Sequence, residues 1–250
     1  MELKQETVLY DVNNQIATIT LNRPNVKNAL NDEMHHELFE SFKEAERDSN
    51  VSVIVLQGAG DAFCSGADLK SASLNDRTAF DYGDSLRDTY NRLILTITQI
   101  QKPIIAHING IAVGAGLSIA LACDFRVAAY DAKMALSFLN IGLVPDAGAS
   151  YFLPRIVGYA KALELGLGQM ISAEEAYRIN LINQIGTPEE LAKQLTETPL
   201  EAFGLMKTTM RESYEHSLSE ILEKEVHAQR LAGQTEDHAK AVQKFLTKRS

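Results

Sequence analysis

Apolar positions in the first half of this 250-residue chain switch repeatedly between two spacings. TVLYDV (7–12) and QIATITLN (15–22) alternate or cluster β-branched residues around the turn pair Asn13-Asn14, which predicts a β-hairpin. NDEMHHELFESFKEAERD (31–48) then places Met34, Leu38, Phe39 and Phe42 at helical spacing behind Asn31, a good N-cap. VSVIVLQG (51–58) is a nearly continuous apolar run closed by glycine, the pattern of a strand buried on both faces. TAFDYGDSLRDTYNRLILTITQIQ (78–101) predicts one long helix stopped by Pro103, and PIIAHING (103–110) the next buried strand. A glycine-rich helix start, VGAGLSIALACD (113–124), and the strand FRVAAY (125–130) complete a β-α-β-α-β rhythm. That rhythm implies an α/β core with crossover helices.

From KALELGLG (161–168) onward the helical period takes over. SAEEAYRI starts at the cap residue Ser172 and TPEELAKQL at Thr187, each with the Ser/Thr-x-x-Glu pattern or a proline at the first helical position. Residues 199–250 read as three amphipathic helices. The expected division is an α/β core over 1–195 and a helical region over 196–250 that packs on a neighbouring subunit.

Composition narrows the function classes. A net charge of −9 argues against a broad nucleic-acid surface. The longest apolar run, IAVGAGLSIALAC, is too short to span a bilayer, and MELKQETVLY has no apolar signal region. Two cysteines, Cys64 and Cys123, without CxxC or a histidine at ligand spacing, argue against a disulfide framework or a zinc site. The expectation is a soluble, cytoplasmic protein with no membrane or nucleic-acid partner.

Three stretches carry candidate chemistry. GAGDAFCSGADLK (58–70) has small residues at Ser65, Gly66 and Ala67 that let a ligand approach backbone N–H groups, and reads equally as a glycine-rich connector. NGIAVGAGLSIA (109–120) sets glycines 110, 114 and 116 before a helix, which suits either an anion or oxyanion at the helix end or tight helix–strand packing. It lacks both the G-x-G-x-x-G pattern and a P-loop lysine. NIGLVPDAGASYF (140–152) keeps one acid, Asp146, in apolar surroundings, with no other acid between Asp131 and Glu164. Pro-Asp-x-Gly is good turn chemistry. A buried carboxylate there would instead have a raised pKa suited to moving a carbon-bound proton. Among other residues, the five helical histidines read as solvated or partner-facing, His107 as a hydrogen-bonded core residue, and Cys64 as a small packer. Asp68 reads as a brace for its loop. Met134, Phe138 and Leu139 read either as core or as pocket lining.

The stretches ITLNRPNVKNALN, DAFCSGADL, KPIIAHINGIAVGAGLSIALACDFRVAA, FLNIGLVPDAGASYFLPRIVG and AVQKFLTKR resemble, in order and over essentially the whole chain, the crotonase (enoyl-CoA hydratase/isomerase) superfamily. The resemblance implies the ClpP/crotonase-like fold of repeated ββα units, a C-terminal helical trimerisation region, trimers that often pair into hexamers, and an acyl-CoA thioester substrate, with no cofactor beyond that coenzyme A. By motif match the oxyanion hole is formed by the N–H groups of Ala67 and Ala115, beside Gly114. Coenzyme A lies along Asn25, Val26 and Lys27 and along Ala62, Phe63, Ser65, Gly66, Asp68 and Leu69. Phe245 and Lys248 reach a neighbouring subunit's ligand.

The departures select among activities. Family hydratases use two glutamates, and here those positions hold Ser118 and Asn140, which cannot act as an acid/base pair. LVPDAG instead resembles the single-aspartate branch of ring-1,2-epoxyphenylacetyl-CoA isomerases and Δ3,Δ2-enoyl-CoA isomerases, with Asp146 as proton shuttle. Family dehalogenases use the same aspartate position as a nucleophile beside a tryptophan-containing halide pocket, whereas this chain has no tryptophan and carries Phe138 there. The expected activity is an enoyl-CoA isomerase; the alternatives are a hydratase and a catalytically quiet acyl-CoA-binding scaffold.

Overall fold

The protein, a computed structural model, is described over residues 6–69 and 81–247. Its strands are β1 (Val8–Asn13), β2 (Ile16–Leu21), β3 (Val53–Gly58), β4 (Ala62–Cys64), β5 (Ile104–Ile108), β6 (Ile111–Val113), β7 (Phe125–Ala128), β8 (Lys133–Ala135), β9 (Ile171–Ser172) and β10 (Gln184–Ile185). Its helices are α1 (Asp32–Arg47), α2 (Tyr82–Asp88), α3 (Tyr90–Gln99), α4 (Ala115–Ala122), α5 (Ala149–Val157), α6 (Tyr159–Gly166), α7 (Ala173–Arg178), α8 (Glu189–Thr196), α9 (Leu200–Glu212), α10 (Leu218–Ala232) and α11 (Glu236–Thr247). Among the described residues one sheet runs β1-β2-β3-β5-β7-β10 and a second runs β4-β6-β8-β9. Pairing from β2 to β10 is parallel in the first sheet, and β4-β6-β8 is parallel in the second.

Each long strand of the first sheet hands over to a short strand of the second: β3 to β4, β5 to β6, β7 to β8. Helices follow, which makes the repeated ββα unit. The corners are too tight for side chains. A Cβ on Gly110 would lie 2.0 Å from the Asp61 carbonyl, and Asn109 ties the first corner to the second by accepting from Gly58 N–H and donating to Gly58 O, both at 2.9 Å.

Continuous apolar strands are explained by burial on two faces. Ile54, Leu56, Ile104 and Ala106 face the main core, with α1 and α3 packed on it through Met34, Leu38, Phe42, Leu93 and Ile97. Val53, Val55, Ile105 and Val127 face a second cluster completed by Leu191 and Leu195 of α8 and Phe203 of α9. All eight residues of α4 are buried, so it shows no polar stripe.

Several sequence expectations need correction. The hairpin turns at Asn14-Gln15, both left-handed (φ 50° and 66°), and Asn13 pairs with Ile16. The helix expected over 78–101 is broken at Thr89 (φ −114°, ψ −84°) into α2 and α3, and residues 78–80 lie outside the described residues. The helical second half also contains β9 and β10, each only two residues long. His35 is buried, packed edge-on against Tyr90 with ring centroids 4.1 Å apart.

Helix α9 is fastened to the sheet by a shielded ion pair. Lys207 Nζ donates to Asp124 Oδ2 at 2.7 Å and to the Ile100 carbonyl at 2.8 Å, while Asp124 Oδ2 also accepts from Ile104 N–H. Burial pushes the Asp124 carboxyl up from its ordinary pKa, with Lys207 opposing. Removing the cation strands a shielded acid. Lys207→Met is therefore expected to destabilise the fold by about 3 kcal/mol, read as a lower urea midpoint; an unchanged midpoint would mean the pair contributes nothing.

Candidate active site

Strands β4, β6 and β8 are parallel, so the connections leaving their C-terminal ends gather at one edge of the second sheet. There they enclose a cavity of about 460 Å³. The loop after β4 supplies Ser65, Gly66, Ala67, Asp68 and Leu69 to its wall, and the β6–α4 junction supplies Val113, Gly114 and Ala115. The 3-10 turn after β8 (Ser137–Ile141) and its continuation supply Phe138, Ile141, Leu143 and Asp146. Helices α2 and α3 close the far side through Tyr82, Leu86, Thr89 and Tyr90, and Leu30 and Asp32 complete it.

Two backbone donors face this space. Leu30 N–H donates to Gly66 O at 2.8 Å and Asp68 N–H donates to Leu30 O at 2.9 Å. This parallel bridge brackets Ala67 and turns its own N–H the other way. Ala115 is the first residue of α4, so its N–H has no partner within the helix and carries the positive end of the helix dipole. Among the described residues neither N–H donates to a backbone acceptor. Glycines bring the two loops together. A Cβ on Gly66 (φ +93°) would lie 2.9 Å from Val113 O, and one on Gly116 2.6 Å from Cys64 O. Burial pushes the Cys64 thiol up to about 12, which keeps it a neutral packing group.

Asp146 lines the same cavity. It is followed by two left-handed residues, Ala147 (φ 49°) and Gly148 (φ 81°), the first an uncommon conformation for alanine. Asp146 Oδ1 is sealed from solvent and has no hydrogen-bond partner among the described residues. Burial alone raises its pKa to about 6. The other acids on the wall are placed differently: Asp68 is paired with Arg23 at 2.9 Å, and Asp32 is exposed in the first turn of α1.

The structure thus gathers Ala67, Ala115, Asp146, Ser65, Gly66, Asp68, Leu69, Gly114 and Phe138 around one cavity. Other candidates fall elsewhere. Ala62 and Phe63 are fully buried in β4, so their side chains are core. Ser118 is also fully buried, its hydroxyl donating back to Gly114 O at 3.2 Å. Asn140 is exposed and off the cavity wall, because the 3-10 turn directs Phe138 inward and leaves Leu139 and Asn140 outside. Met134 is core, and Leu139 is 49% exposed. Asn25, Val26 and Lys27 form an exposed turn beside Ser65, whose N–H donates to Lys27 O at 2.9 Å. Phe245 lies exposed on α11, away from the cavity of its own chain, and Lys248 lies outside the described residues.

Sequence reasoning passed over Tyr90. It heads a buried stripe with Leu93, Ile94 and Ile97, and an aromatic with a polar tip at the head of such a stripe was the available signal.

Residues 11–250 match the family model described as enoyl-CoA hydratase/isomerase. The chain is 38% identical to the 1,2-epoxyphenylacetyl-CoA isomerase of Escherichia coli (strain K12), over 98% of this chain and 97% of that protein. It is 34% identical to 4-chlorobenzoyl coenzyme A dehalogenase-1 of Arthrobacter sp, over 84% of this chain and 80% of that one. The crystal structure of an enoyl-CoA hydratase from Bacillus anthracis superposes with a TM-score of 0.88 at 30% identity, covering 97% of this chain and 96% of the other.

Proposed function

The chain belongs to the enoyl-CoA hydratase/isomerase (crotonase) family, and from that premise we propose that it is an acyl-CoA isomerase with one acid. The reaction shifts a double bond, or isomerises a ring-derived acyl thioester, with Asp146 carrying the proton. The observation behind this reading is that one cavity is lined by both backbone donors and by Asp146, whose Oδ1 is sealed from solvent and has no hydrogen-bond partner among the described residues. Neither Ser118 nor Asn140 reaches the cavity to act beside it.

The N–H groups of Ala67 and Ala115 hold the thioester oxygen. Asp146 removes a proton from C2 of a 3-enoyl thioester, and electrons flow into the C3=C4 bond and the carbonyl to give a dienolate. The donors stabilise the negative oxygen as it forms. Asp146 then returns the proton to C4, which leaves a 2-enoyl thioester; atoms and charge balance with no co-reactant. A raised pKa suits this exchange, because the acid must both take and give back the proton. The exposed turn Asn25–Lys27 is the proposed path of coenzyme A. The exposed apolar residues Leu218, Leu222, Val226 and Phe245 of the last two helices support a homotrimer or a dimer of trimers.

The test is turnover of a 3-enoyl-CoA and a 2-enoyl-CoA in deuterated water. Migration of the double bond without gain of water is the expected result, with deuterium entering at C4 to the extent that the protonated Asp146 exchanges with solvent before it returns the proton. The rate is expected to rise with pH through about 6, since the carboxylate is the active form. Rapid water addition to the 2-enoyl substrate would instead establish a hydratase, and binding without turnover a scaffold.

A further inference from the structure

Tyr90 is a deeply placed titratable side chain of the same cavity wall. It is 7% exposed, at the head of α3 where the chain breaks after Thr89. Burial is the main cause of a raised phenol pKa, with Cys64 and Asp146 both near enough to add to it. The hydroxyl therefore stays protonated and is a hydrogen-bond donor at neutral pH. Cys64 lies directly behind Gly66 in the first donor loop, its Sγ accepting from Gly66 N–H at 3.4 Å. The phenol thus lies near the loop that presents Ala67 and near Asp146, all three on one cavity wall. A substrate held by the Ala67 and Ala115 N–H groups and worked on by Asp146 lies in the cavity that Tyr90 also lines.

Among the described residues no protein group uses the Tyr90 hydroxyl. It makes no hydrogen bond among the described residues, and it is not among the polar atoms sealed from solvent. The nearby Thr89 hydroxyl, by contrast, is spent on Ser85 O at 2.6 Å. The ring packs edge-on against His35, itself buried, with its pKa lowered to about 4 mainly by burial, so the support is an uncharged imidazole. A ring packed on His35, with a donor unspent among the described residues and on the wall of a largely apolar chamber that includes Leu30, Leu86, Phe138 and Leu143, discriminates among acyl groups. An all-carbon chain would dehydrate the hydroxyl without replacing its hydrogen bond, whereas an oxygen at the right depth would replace it.

Resting on the acyl-CoA reading above, we infer that Tyr90 is a specificity residue that donates a hydrogen bond to an oxygen carried within the acyl group, and that the preferred substrates are oxygen-bearing acyl thioesters. The test uses two saturated, isosteric thioesters, hexanoyl-CoA and 4-methoxybutanoyl-CoA. Their affinities for wild type and Tyr90→Phe are measured by titration calorimetry, with circular dichroism confirming the fold. Tyr90→Phe is expected to lose about tenfold more affinity for the ether than for hexanoyl-CoA. Equal losses on both ligands, or none on either, would overturn the inference and leave the isomerase reading standing. Failure of wild type to bind either thioester would overturn the acyl-CoA reading itself, and this inference with it.

Discussion

Asp146→Asn is expected to lower turnover of a 3-enoyl-CoA by about a thousandfold, within the range of a lost general acid/base, and at the same time to raise the melting temperature. The two effects share one cause. The native fold shields a carboxyl whose Oδ1 has no hydrogen-bond partner among the described residues and holds its pKa at about 6, above the ordinary value it recovers on unfolding. The native state therefore binds more protons than the unfolded state between about pH 4 and 6, and stability falls as pH rises through that window. Above it the wild type carries the full penalty of a buried charge, and below it none. Asparagine occupies nearly the same volume without a charge to desolvate, so the variant's advantage in melting temperature should be present at pH 8 and disappear below about pH 4. Loss of activity together with gain of stability separates chemistry from misfolding. A variant that kept its turnover would reduce Asp146 to a turn residue; one that lost both activity and stability would make it a structural brace.

Gly66→Ala is expected to reduce kcat by about a hundredfold to a thousandfold, the scale of losing one oxyanion donor. Gly66 sits at φ +93°, where an L side chain is strained, and its Cβ would come 2.9 Å from Val113 O and 3.6 Å from Ala115 N. The neighbours are backbone, so relief requires the two donor loops to part. Both N–H groups would remain, no longer converging on one oxygen. Gly158→Ala provides the control: its φ is +81°, but a Cβ there meets nothing within 4 Å. It should lose stability through backbone strain while keeping kcat. If Gly66→Ala retained full turnover, convergence of these two loops would have no part in the reaction.

Much of this architecture was legible in local pattern. Alternation and apolar runs located β1, β2, β3, β5 and β7, and caps such as Asn31, which accepts from Met34 N–H at 3.0 Å, located helix starts. Ser172 does the same for α7, accepting from Glu175 N–H at 3.2 Å. The short strands β9 and β10 were not legible, because two residues carry no period; they exist only through β8 and β7 beside them. The break at Thr89 was hidden for a similar reason, since the helical pattern runs unbroken across it while the cavity takes Thr89 and Tyr90 as wall.

The sequence by itself determined the alternation of elements, the glycines that allow two loops to touch, and an aspartate isolated in apolar surroundings. Those follow from nearest-neighbour chemistry: spacing, backbone freedom and side-chain type. Tertiary structure alone decided which of these groups share a cavity. It turned the Ala67 N–H inward by pairing its neighbours with Leu30, sealed Asp146 enough to raise its pKa, and left Ser118 and Asn140 outside. It also brought Tyr90, 56 positions from Asp146 in the sequence, close enough to sense its charge. Burial and convergence depend on contacts between residues far apart in the chain, and no local period encodes them.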